Sequence, residues 1–276
     1  MQEKFSQFYI FTGKGGVGKT TLSLAFCKQL QEETKKKVKL VYFRSNKIEN
    51  DSSFQSFEDM QFQQLQNEGI EIEGLELRKS IQEYMARKLK SKTISSWILK
   101  TPFFTSLVNM LPGFNFVVYL GQILDDLNDD PDQIVVLDAP ASGHALTMLQ
   151  AVANFKEIFQ SGIVYNDTKK IFSQLTDPNL LKIIIITLPT QLSVNEAKEL
   201  KSDLNEIGYK NIQLITNSSF LYLENEQELP HFLIEKIKIE KELLNDSIST
   251  FKIPFSSKQT IKDLSSEIAS STKVII

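Results

Sequence analysis

The chain has 276 residues, 41% hydrophobic and 24% charged, which is enough to bury a substantial core and excludes a disordered or fibrous polymer. Its formal net charge of −3 and pI near 5.6 give no overall pull towards nucleic acid or anionic lipid. A single cysteine, Cys27, excludes an intrachain disulfide and an all-cysteine metal site within one subunit, and fits a reducing, cytoplasmic setting.

In chain order, the β-branched and aromatic run at 8–11 predicts a strand that leads into glycines. The spacing of Leu22, Ala25, Phe26 and Leu30 then predicts a helix over 20–31. Lys35, Lys36, Lys37 and Lys39 read as a solvated turn around the start of a second strand at 38–43. Residues 51–66 are polar with scattered Phe, and from about 75 to 130 the periodicity around Leu77, Ile81, Tyr84, Met85 and Leu89 predicts a helical insertion within one domain spanning 1–276. No charge falls between Lys100 and Asp125, yet Asn109, Pro112, Gly113, Asn115 and Gln122 interrupt the stretch. It therefore reads as two buried or groove-lining helices broken at Pro112-Gly113, and no integral membrane span is expected.

Strand signals return at 134–137, 183–188 and 212–216, and Ser193 with Glu196 reads as a capping box opening a helix that ends near Gly208. A charged helix over 229–244, a short strand at 251–253 and a last helix from about Gln259 complete the pattern. Strands alternating with helices imply an α/β fold with a doubly wound, mostly parallel sheet.

The segment GKGGVGKT supplies Gly13, four intervening residues, then Gly18, Lys19 and Thr20, between a predicted strand and a predicted helix. Such a loop curls its N–H groups of Gly13, Lys14, Gly15, Gly16, Val17 and Gly18 towards phosphate oxygens at the positive end of the helix. Lys19 neutralises the β and γ phosphates, the Thr20 hydroxyl ligates magnesium, and Thr21 follows on the same turn. This predicts binding of ATP, in preference to GTP, with Mg2+. In QIVVLDAPASGH a buried strand ends in Asp138, an acid placed to bind the magnesium or its water shell, while His144 reads as a packing residue.

GKGGVGKT together with LDAPASGHAL, NMLPGF, TLPTQLSVNEAKEL and ITNSSF resembles the arsenite-pump ATPase and tail-anchored-protein targeting ATPase family, in particular its shorter bacterial members. The resemblance runs through most of the chain. It implies that Lys14, directly after the first glycine, reaches across a homodimer to the partner's nucleotide and acts there with Lys19 in catalysis. It also implies that Asn217 contacts the adenine, with backbone near Pro254 closing the base pocket, and that the helical insertion binds a hydrophobic helix or protein client. Trp97, Phe103, Phe104, Leu107, Met110 and Leu111 either line that groove or form the insertion's own core.

The sequence departs from the family where many members carry an aspartate after the second strand, since here the chain continues Arg44-Ser45-Asn46 with Glu49 and Asp51 as the nearest acids. Slow hydrolysis is expected, and a non-hydrolysing ATP-gated binding or regulatory protein is the alternative reading. The chain lacks the thiols of an arsenite site, and Cys27 reads as packing on the first helix. A partition-type ATPase would want a basic DNA-binding surface or a basic amphipathic tail, which SSTKVII does not supply, so no nucleic-acid partner is expected.

Overall fold

The computed structural model describes residues 5–43, 57–89, 111–158, 161–223, 229–244 and 251–255. Its strands are Phe8–Gly13 (β1), Lys37–Phe43 (β2), Glu71–Leu75 (β3), Gln133–Ala141 (β4), Leu181–Thr187 (β5), Ile212–Ser219 (β6) and Phe251–Pro254 (β7). They form one sheet in the order β3-β2-β4-β1-β5-β6-β7, and every pairing is parallel. Parallel strands need crossovers, which here are helices, and helices on both faces leave the central strands without a wet side. β5 shows the consequence most directly. Ile183 and Ile185 enter the core on one face, and Ile184 and Ile186 enter the core on the other. Each such side chain contributes roughly 1.5–3 kcal/mol by leaving water.

One face is covered by Phe114–Asp129 (α4), Ser142–Ile158 (α5), Gly162–Leu175 (α6) and Gln191–Ile207 (α7), through residues such as Leu120, Leu149, Ile171 and Leu200. The opposite face is covered by Lys19–Thr34 (α1) and Phe57–Asn67 (α2), through Leu24, Phe26, Leu30 and Leu65. Leu77–Leu89 (α3) packs Ile81 and Tyr84 against Val118 of α4. His231–Leu244 (α8) precedes β7.

α4 begins directly after the expected break, with Gly113 at its N-cap, and Val117, Val118, Leu120, Ile123 and Leu124 are buried. No helix among the described residues is long and apolar enough to cross a membrane. Of the residues expected to line a groove, only Leu111 is described, and it packs against the main core. Trp97, Phe103, Phe104, Leu107 and Met110 lie outside the described residues, as does the helix expected from Gln259.

Three expectations need correction. Lys39 is not part of a wet turn. It is a buried residue of β2 whose ammonium pairs with Glu73, with Glu71 at 3.3 Å and with Asp126 at 3.5 Å, because a buried charge must find partners. The helix expected to open on a Ser193–Glu196 box is capped instead by Thr190, whose Oγ1 accepts from Ser193 N. The Ser193 hydroxyl accepts from Leu188 N at 3.1 Å, which leaves Glu196 for other contacts. His144 is exposed on the first turn of α5 and does not pack inside.

Candidate nucleotide site

β1 and β4 are neighbours, yet the helices that follow them lie on opposite faces of the sheet: α1 joins one core and α5 the other. The carboxyl ends of two such strands open a crevice, which is where open α/β sheets bind ligands. The loop Lys14–Gly18 and residue Asp138 both sit at this crevice.

The loop takes its path because two of its glycines cannot be anything else. Gly13 has φ 143°, and a Cβ there would lie 2.1 Å from the Ile186 carbonyl oxygen. Gly18, the N-cap of α1, has φ 89°, and a Cβ there would lie 2.6 Å from Asn217 Nδ2. A glycine N-cap leaves the first N–H groups of α1 without a side-chain acceptor, at the end of the helix that favours an anion.

Lys19 Nζ donates to the Lys14 carbonyl oxygen at 3.0 Å, folding the side chain back over its own loop. Burial holds its ammonium below the usual lysine value, and the nearby Asp138 charge opposes that shift. A bound phosphate would relieve the desolvated cation. Thr20 Oγ1 donates to Asp138 Oδ2 at 2.6 Å, so a hydroxyl and a carboxylate stand side by side where β1–α1 and β4 meet. Two hard oxygen donors fit Mg2+, which keeps several waters and takes one or two protein ligands plus phosphate oxygens. Among the described residues no group of three or more His, Cys, Asp or Glu gathers as a metal cage. Thr21 is half-buried beside Thr20 on the first turn of α1.

Beside this pair lies a cavity of about 330 Å³, bounded by Thr20 and Asp138 on one side and by Tyr42, Phe43 and Phe62 on the other. The rings of Tyr42 and Phe62 sit 5.2 Å apart. The walls contributed by β2 and α2 are thus aromatic, and Asp138 is the acid that lines the cavity; Glu49 and Asp51 lie outside the described residues. A larger surface cavity, about 900 Å³, opens at the amino ends of the strands near Gln7, Glu33 and Asn179, away from the glycine loop.

Lys14 behaves differently from Lys19. It is partly exposed, and its ammonium pairs with Glu196 Oε2 on α7 at 3.0 Å. The other oxygen of Glu196 accepts from Ser142 Oγ. The Ser142 bond and the Lys14 cation together hold the Glu196 carboxyl below its usual range. Ser142 follows Asp138 by four residues, so this pairing joins the first residue of α5 to the second residue of the phosphate loop.

Asn217 lies at the end of β6. Its Nδ2 donates to the Val17 carbonyl oxygen at 2.9 Å, and its Oδ1 accepts from Ser218 N at 2.8 Å. Pro254 is brought close through the pairing of Ser219 with Pro254 between β6 and β7. The structure therefore gathers Gly13 to Thr21, Asp138 and Asn217 around one crevice, with Pro254 one strand further out. Cys27 stands apart, fully buried in α1 with its thiol pushed up by burial and, secondarily, by Asp138, as expected of a packing residue. Glu196 and Ser142 were not legible as site residues. The available signal was that each falls in a motif segment, TLPTQLSVNEAKEL and LDAPASGHAL.

A strand, a glycine loop and a helix over a parallel sheet, with Lys19 and Thr20 facing Asp138, define a phosphate-loop nucleoside-triphosphatase fold. The family described as anion-transporting ATPase matches residues 6–164 and 160–273, and the chain belongs to it. It is similar to a protein of Aquifex aeolicus named "Putative arsenical pump-driving ATPase 2", at 25% identity over 92% of this chain and 94% of that one. It is similar to an ATPase asna-1 of Caenorhabditis elegans at 21% identity, over 79% of this chain and 75% of that one. An arsenical pump-driving ATPase of Escherichia coli matches at 23% identity over 82% of this chain, which spans 38% of that longer protein. The chain is an ATPase of this family.

Proposed function

We propose that the chain binds ATP with magnesium at Gly13 to Thr21, hydrolyses it slowly, and works as a homodimeric switch that couples the nucleotide to its helical region. The observation that carries this reading is the convergence of Lys19, Thr20 and Asp138 at the β1–β4 crevice, with Thr20 Oγ1 and Asp138 Oδ2 2.6 Å apart. Thr20 and Asp138 would hold a magnesium ion there, which would supply positive charge to neutralise the charge that develops on the phosphates. Lys19 would face the β and γ phosphates, and the N–H groups of the loop would cradle them. Asn217 and backbone near Pro254 take the adenine. The domain is a single unit over 1–276, with the region at about 75–130 carrying the output to a hydrophobic helix or protein client.

Support for the homodimer comes from Lys14, which is held at the rim by Glu196 and does not turn into its own loop. A lysine turned away from its own loop would, on leaving Glu196, serve a second subunit's nucleotide as a cation supplied in trans. Support for slow chemistry comes from the aromatic walls of the 330 Å³ cavity. The test is ATP turnover with magnesium over a range of protein concentrations, normalised per subunit. Turnover that rises with concentration supports a dimer-activated switch. A constant rate removes Lys14 in trans, and ATP that stays intact while bound makes the chain a gated binding module.

A further inference from the structure

We infer that Glu240 is a positioning residue for the nucleotide base, acting through the backbone that carries Asn217; this rests on the reading that the base lies against Asn217 and Pro254. Glu240 lies on α8 and is 1% exposed. A carboxylate so deeply buried is costly unless its oxygens are satisfied, and here each has a partner in one short segment. Oε1 accepts from Ser219 Oγ, and Oε2 accepts from Phe220 N at 2.9 Å.

That segment has few other means of holding its shape. The β6–β7 register shifts between Thr216 and Ser219, and Ser218 has φ 57°, a left-handed conformation rarely taken by residues other than glycine. Regular pairing with β7 therefore skips residues 217 and 218 and resumes at Ser219, opposite Pro254. Glu240 takes a hydroxyl and an N–H from this turn, and Ser219 passes the constraint on. Its carbonyl oxygen accepts from Phe255 N at 2.8 Å, and the Phe220 and Phe255 rings stack 5.0 Å apart at 20°. From α8, Lys236 also lies over the Phe220 ring, 4.8 Å from its centre. α8 thus braces the turn that follows Asn217 and, through Ser219 and Phe220, the strand end that carries Pro254. Asn217 also reaches the phosphate loop through its bond to the Val17 carbonyl oxygen, but Gly13 and Gly18 set the path of that loop from their own backbone, so loosening the Glu240 anchor should affect recognition of the base more than recognition of the phosphates.

The experiment uses the full chain and measures affinities for ADP, GDP and inorganic tripolyphosphate by calorimetry, alongside thermal unfolding. Glu240→Ala is expected to weaken ADP binding about tenfold and to lower the ADP-to-GDP preference, while tripolyphosphate binds as before. Glu240→Gln, which keeps one acceptor oxygen, should retain most of the preference. If Glu240→Ala does not fold, Ser219→Ala removes one of the two contacts and should lower the preference by a smaller factor. An unchanged ADP-to-GDP preference, or an equal loss for all three ligands, overturns the inference. Asn217→Ala separates the two levels. If it leaves the preference intact, the base reading itself falls. If it lowers the preference while the Glu240 and Ser219 variants do not, only the role of Glu240 falls.

Discussion

Residues 13–18 hold their shape through backbone freedom, whereas residues 217–220 hold theirs through side chains. In the first region Gly13 and Gly18 adopt φ values of 143° and 89°, and no Cβ stands in the way of the Ile186 carbonyl or the Asn217 amide. In the second, Ser218 sits at φ 57° with a side chain in place, and Glu240 on another helix secures the residues after it. The first kind of site is written in a few contiguous residues. The second is assembled from β6, β7 and α8, and depends on packing between distant parts of the chain.

That contrast can be broken most sharply at Gly13. Gly13→Ala puts a methyl group 2.1 Å from a backbone oxygen of a buried strand that cannot give way. The expected cost is about 3 kcal/mol or more, read as a lower denaturation midpoint, with nucleotide binding lost as well. An alanine variant of unchanged stability would show that the loop is not pinned by this approach. Lys19→Ala should leave the fold in place and slow turnover by on the order of 10²–10³-fold, because a preorganised cation is removed from the phosphates. Near-normal turnover would mean that another cation serves them. On the base side, Asn217→Ala should weaken ADP about three- to tenfold in a binding assay while tripolyphosphate is little affected.

The smallest effect concerns an outer contact of the first region, the pair of Lys14 with Glu196. Glu196 has its carboxyl lowered from 4.5 by the Ser142 bond and by Lys14, so its contribution is present above that value and is lost as pH falls through the folded one. Replacing Glu196 by Gln should flatten the acid limb of unfolding temperature against pH below about 4.5. The change should be slight, because the two side chains are 38% and 33% exposed and solvent screens the pair. A steeper acid limb in the variant would contradict this sign.

The phosphate side was legible because its residues are consecutive and its context, a strand before and a helix after, can be read from periodicity. The strands at 8–13, 133–141 and 181–187 announce themselves as apolar runs, since parallel strands buried on both faces need little else. β3 escaped because it has five residues, one of them Gly74, and two of its acids are spent on Lys39. α2 escaped because its apolar residues are sparse. Lys39 and Glu196 were misread for a shared reason: local rules assign a charge to water or to a helix cap, whereas the fold brought partners from other elements. Glu240 belongs to the same class, a carboxylate in a run of charged residues whose burial depends on where α8 lands.

The isoleucines of β5 carry one more consequence. A strand whose neighbouring positions are all apolar and all buried has no polarity with which to choose its alignment, and sliding it by one place exchanges one isoleucine for the next. Gly13 supplies the missing information, because it faces Ile186 at a distance no other residue tolerates. The glycine that opens the phosphate loop is then also a locating pin for the two central strands. A chain folded one place out of step would lack the pocket altogether, and nucleotide affinity measured during refolding would report correct alignment of the sheet.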